Sequence, residues 1–158
     1  MLQRFHALRI RWRWQVHVVV PVDEQSLPLA VAMAHSLRAP LAEVQDTPRA
    51  GLSLLVWSKV TVPELLTVIA ERVAGRYVSF VGALTESDLE RVLPDIIGVV
   101  TPNPVALPWE GARDRRSVST AAREIVAALK TLPPDDTLAE QVRYYTQQHR
   151  RLRFFPSI

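Results

Sequence analysis

The chain has 158 residues, 48% of them hydrophobic and 22% charged, which suits one globular domain with a core of its own. It contains no cysteine, which excludes disulfides and thiolate metal sites. The net charge of +3 is uneven: residues 1–14 carry a local +4 and residues 139–158 a local +3, leaving −4 on the body between them.

Residues 1–14, MLQRFHALRIRWRW, read as a basic N-terminal arm. They hold no apolar stretch ahead of a small-residue cleavage site, and no run in the chain approaches the roughly 20 apolar residues of a membrane helix. The expectation is a soluble, cytoplasmic protein with no membrane span.

The run 15–22, QVHVVVPV, is apolar on both faces and rich in β-branched residues, which predicts a central strand of a parallel sheet. Asp23 and Glu24 open a polar turn. Ser26 is placed to cap a helix over LPLAVAMAHSL, with Leu29, Met33 and Leu37 on one face. Pro28 fits only the first turn of that helix, and Pro40 ends it. Residues 41–46, LAEVQD, predict a short strand.

Residues 52–57 predict a second central strand. Thr61 and Glu64 form a T-x-x-E capping box for a helix to about Ala74, with Leu65, Ile69 and Val73 inward and Gly75 closing it. Residues 77–81, YVSFV, predict a third strand ended by Gly82. Residues 85–93 predict a short helix stopped by Pro94, and 96–100, IIGVV, a fourth strand.

Residues 101–117 carry Pro102, Pro104 and Pro108 and read as a stiff, extended loop of the length that usually serves a function. Ser119 is placed to cap a helix with Ile125, Ala128, Leu129 and Leu132 inward. Pro133, Pro134, Asp135 and Asp136 form a linker. A C-terminal helix and tail follow, with Leu138, Val142, Tyr145 and Leu152 on one side.

This alternation predicts an α/β domain over residues 15–132, a flavodoxin-like three-layer sandwich around a mostly parallel sheet of four or five strands. The C-terminal helix over 133–158 is separate from it. Ligands of such folds bind beyond the carboxyl ends of the strands. Here that rim comprises residues 22–26, 57–61, 82–85 and 101–104.

The rim lacks familiar chemistry. There is no G-x-G-x-x-G, no P-loop and no G-x-S-x-G elbow. His6, His17, His35 and His149 stand at no metal-ligand spacing, so no metal site is expected. His17 reads as a hydrogen-bonded strand residue. Asp23 and Glu24 read as turn-starting acids, and no phosphoacceptor aspartate stands where Trp57, Ser58 and Lys59 lie. Ser58 reads as a strand-end serine bonding the backbone, with a nucleophile as the sharper reading. Trp109, beside Glu110, could form a binding lip or pin its loop to the body.

LLVWSK followed by a helix resembles the middle of bacterial TIR (Toll/interleukin-1 receptor) domains. The acidic turn before LPLAVAMAHSL, the strand and loop IIGVVTPNPVALP and the helix STAAREIVAALKTL resemble the rest of that family in order. Enzymatic members imply NAD as substrate and a catalytic glutamate, which Glu71 matches. Glu64 and Leu66 stand where the family's serine and tryptophan precede that glutamate.

The sequence is therefore read first as a non-catalytic, TIR-like signalling module that needs no cofactor. It would act by docking on a protein partner or on its own copies through Trp12, Trp14, Arg150, Arg151, Phe154 and Phe155. The alternative is an NAD-processing or other nucleotide-processing enzyme using Glu71, with Asp23, Glu24, Ser58 and Trp109 at its rim. Nucleic-acid binding through the basic ends ranks last, since no reading motif accompanies the charge.

Overall fold

The computed structural model describes residues 2–110, 114–131, 139–140 and 143–144. Four strands, β1 (Val16–Pro21), β2 (Leu52–Lys59), β3 (Arg76–Thr85) and β4 (Ile96–Thr101), form one all-parallel sheet in the order β1-β2-β3-β4. The helices are α1 (Leu2–Trp12), α2 (Leu27–Leu37), α3 (Leu65–Ala70) and α4 (Arg115–Thr131).

The strand foreseen over 41–46 shrinks to a parallel bridge between Leu41 and Val19, followed by a 3-10 turn at Val44–Asp46. Val19 N–H donates to the Pro40 carbonyl at 2.9 Å, and Ala42 N–H to the Val19 carbonyl at 2.9 Å. With that bridge counted as a strand at the outer edge of β1, the spatial order is the flavodoxin-like 2-1-3-4-5. The chain crosses by α2 to the bridge and then returns past β1 to β2. This reversal places the topological switch point between the carboxyl ends of β1 and β2.

Both faces of the sheet are covered. On one, Val19, Leu54, Val56, Val78 and Phe80 pack against Leu2 and Phe5 of α1, Leu29 and Met33 of α2, and Ile125 and Leu129 of α4. On the other, Val18, Val20, Leu55, Trp57 and Val81 pack against Leu66 of α3 and against Val92. Strands buried on both sides explain the continuous apolar runs.

The basic start of the chain is not an arm beside this body. Leu2, Phe5 and Leu8 recur on one side of α1 and are buried, and the Phe5 ring meets Phe80 edge-on at 5.6 Å. Burying a phenylalanine stabilises by about 1.5–3 kcal/mol, which outweighs leaving a charged segment in water.

Three local expectations yield to tertiary contacts. The Thr61–Glu64 capping box does not form: the Thr61 hydroxyl bonds Asp23, Glu64 pairs with Arg91, and α3 starts at Leu65 without a side-chain cap. α3 ends at Ala70, not near Ala74. Arg72 and Val73 donate three residues back, and Ala74 N–H is taken by the Thr47 hydroxyl at 3.0 Å. Gly75 is not a left-handed cap; a Cβ there would lie 2.5 Å from the Pro48 carbonyl, so the position needs glycine for close approach.

The helix expected over 85–93 is a single 3-10 turn, Glu86–Asp88. α4 begins at Arg115 under the Asp114 carboxylate, which accepts from the N–H groups of Arg116 and Ser117, so Ser119 is not its cap. Leu132, the 133–136 linker and most of the C-terminal helix fall outside the described residues. Among the described residues no helix is long and apolar enough to cross a membrane.

Candidate functional site

Two neighbouring polar regions lie at the carboxyl rim. The first is the crevice at the switch point, between β1 and β2. Asp23 sits there just past β1, in extended conformation before a 3-10 turn, Glu24–Ser26. One carboxylate oxygen accepts from Ser26 N–H at 2.8 Å and the Ser26 hydroxyl at 2.5 Å. The other accepts from the Trp57 indole N–H at 2.9 Å and the Thr61 hydroxyl at 3.1 Å.

Ser26 is therefore not the side-chain cap of α2. Its oxygen also accepts from Ser58 N–H at 2.8 Å. Ser58 is 1% exposed, and its hydroxyl turns to the Gln25 carbonyl at 3.4 Å. Trp57 is fully buried. The Ser26, Trp57, Ser58 and Thr61 donors named here all find acceptors within the protein, and half-buried Asp23 is taken up by four of these bonds. Glu24 is exposed beside it.

The second, a hollow, lies one strand along, beyond the ends of β2, β3 and β4. Register pairs Lys59 with Ala83 and Thr85 with Thr101, which lines up these strand ends. A cavity of about 420 Å³ opens there, lined by Lys59, Thr61, Thr85, Ser87, Asp88 and Thr101 on the sheet side and by Gln25, Pro104 and Val105 opposite. The volume is that of a small-molecule site, roughly 300–1,000 Å³. Thr85 donates to the Asp88 carboxylate and lies 2.9 Å from the Ser87 hydroxyl. Lys59 Nζ donates to the Val105 carbonyl at 3.3 Å and pairs with Glu110.

In two other hollows of similar size a carboxylate is held by structural bonds. In one, of about 410 Å³, Asp95 accepts from the Ser79 N–H and hydroxyl, and Arg91 pairs with Glu64. In the other, of about 450 Å³, Asp114 caps α4, and its bonds to Ser117 hold its carboxyl below the usual carboxylate range.

The residues nominated from sequence separate. Asp23, Ser58 and Trp109 meet at the rim, where the Trp109 indole N–H donates to the Gln25 carbonyl at 3.2 Å and its ring packs against the core. That is the pin, not the lip. Glu71 lies apart, at the end of α3, in the hollow shared with Tyr77 and Asp95. The rings of Trp12 and Trp14 lie 4.7 Å apart, both half-buried, with Trp14 against the core. Arg150, Arg151, Phe154 and Phe155 fall outside the described residues. His17 accepts the Leu52 N–H at 3.0 Å through Nδ1, at an irregularity in the β1–β2 ladder. Among the described residues no three His, Asp or Glu side chains are grouped to hold a metal ion.

Lys59, Thr85, Ser87, Asp88 and Thr101 were not nominated. Their signal was positional: Lys59, Thr85 and Thr101 each close a strand.

No family model and no curated protein matches the chain. Among solved structures, it is similar to a purine phosphoribosyltransferase from Pyrococcus horikoshii. The two share 18% sequence identity with a TM-score of 0.57, over 67% of this chain and 85% of that one. Identity that low shows a shared fold. It also corrects the first functional reading: a solved structure that this chain resembles is a transferase, so the account of a non-catalytic docking module is withdrawn.

Proposed function

We propose that this chain is a nucleotide-processing enzyme whose substrate carries a phosphorylated ribose, bound in the cavity beyond β2, β3 and β4. The observation that carries the reading is the lining itself. One lysine, four hydroxyls and one carboxylate converge in a hollow at the edge where parallel sheets bind ligands.

Each group has a task. Lys59 supplies the positive charge for a phosphate. Thr85, Ser87 and Thr101 offer hydroxyls that can exchange their present local bonds for phosphate oxygens or ribose, while Thr61 stays on Asp23. Asp88, oriented by Thr85, places negative charge where the sugar carbon becomes electron-poor as its bond to a base or leaving group breaks. Asp88 thus takes the role that sequence similarity suggested for Glu71.

The structural neighbour's name joins a purine to a phosphoribosyl group, and that supports testing such substrates first. Incubation with 5-phosphoribosyl diphosphate and a purine base, and separately with NAD, checks the reading. The expected result is formation of a nucleotide or release of nicotinamide, reduced about a hundredfold by Asp88→Asn. Absence of turnover with both, together with no binding of ribose 5-phosphate, would contradict it.

A further inference from the structure

Residues 102–110, PNPVALPWE, leave the end of β4 and span the rim to the turn after β1. Pro104 and Val105 form part of the cavity wall. The segment is attached at two places. Trp109 bonds the Gln25 carbonyl and packs against the core, while the Val105 carbonyl and the Glu110 carboxylate both hold Lys59. Glu110 is the only charged residue between 102 and 110, and the lysine it holds is the only cation lining the cavity among the described residues. Three prolines make the segment stiff, so it does not simply collapse around whatever lies beneath it.

We propose that residues 102–110 are a strap latched over the cavity, with Glu110 as an internal carboxylate that occupies Lys59 until an anionic substrate displaces it. This rests on the reading of the cavity as a phosphate site.

The chemistry makes the exchange favourable. Lys59 has three N–H donors and a compact charge, and a phosphate dianion presents more acceptor oxygens and more charge than one carboxylate. The Lys59 and Glu110 side chains are 23% and 35% exposed, so their pairing is partly screened and costs little to break. Trp109 stays pinned while the Glu110 latch opens. The strap then favours ligands able to compete for the lysine. Neutral nucleosides, lacking that charge, leave it latched.

Ribose 5-phosphate and adenosine are titrated calorimetrically into the wild-type protein and into Glu110→Gln, and amide exchange over residues 103–110 is followed in both. The expected result is faster exchange in the ligand-free variant, ribose 5-phosphate binding roughly two- to fivefold tighter than in wild type, and ligand-induced loosening of the strap in wild type only. Adenosine should loosen nothing. Equal affinity and equal exchange in the two proteins would overturn the strap and leave the phosphate site standing. Failure of ribose 5-phosphate to bind either protein would overturn the site and the strap together.

Discussion

The two polar regions at the carboxyl rim are built from adjacent strand ends and differ in one respect, namely what their polar groups are bonded to. Between β1 and β2, Asp23 binds four protein donors and a buried tryptophan fills the floor. Between β2 and β4, Lys59 is held only by the loop above it, through Glu110 and the Val105 carbonyl, and Thr85, Ser87, Asp88 and Thr101 bond one another or their own loop around an open cavity. Topology alone would assign the ligand to the first. Our proposal places it in the second, because a carboxylate already saturated within the protein has nothing left to offer a substrate. In this chain the switch-point groups bond one another, and the proposed site lies one strand along.

The largest effect expected from breaking this contrast is on stability. Trp57→Ala removes a fully buried indole from the switch-point crevice and should cost about 3–5 kcal/mol in urea unfolding. Asp23→Ala should cost about 1–3 kcal/mol, because the Trp57 indole, Ser26 and Thr61 lose a shared acceptor; binding of ribose 5-phosphate by the folded fraction should persist. Lys59→Ala should do the converse, leaving stability within about 1 kcal/mol while weakening ribose 5-phosphate roughly ten- to a hundredfold by calorimetry.

A smaller effect sharpens the picture of the N-terminal helix. Burial, assisted by the Arg9 charge, holds the His6 pKa below the ordinary value of 6.5. The unfolded chain then takes up the proton first. The stability that His6 contributes is whole above 6.5 and is lost as pH falls below it towards the folded value. Unfolding free energies at about pH 7.5 and about pH 5.5 should differ in that direction, and His6→Gln should reduce the difference.

Much of the sheet was legible because a strand buried on both faces leaves an unbroken apolar run. Residues 52–57 and 77–81 fall within β2 and β3, and 96–100 within β4. The misread elements share a cause. Thr61, Ser26 and Glu64 each looked like local helix caps, yet each bonds a residue distant in sequence or across a turn: Asp23 for Thr61, Ser58 and Asp23 for Ser26, Arg91 for Glu64. Single-sequence reasoning sees the local option and not the tertiary one that outcompetes it.

The candidate site was legible only as a location. The rim segments were placed correctly, but Asp23 and Ser58 were chosen from them because acids and serines at strand ends look reactive. Lys59 and Asp88 gain meaning only when the register of β2, β3 and β4 aligns their ends. The basic arm was misjudged for a related reason. Its arginines dominate the sequence, while the Leu2, Phe5 and Leu8 stripe that seats it is only three residues long.

A crystal soaked with adenosine 5′-monophosphate tests the central claim directly. The account requires density for the phosphate against Lys59 and the hydroxyls of Thr85 and Thr101, with Glu110 moved away and the Asp23–Trp57 bond intact. Phosphate density beside Asp23 and Ser58, with Trp57 displaced from its pocket, would contradict it.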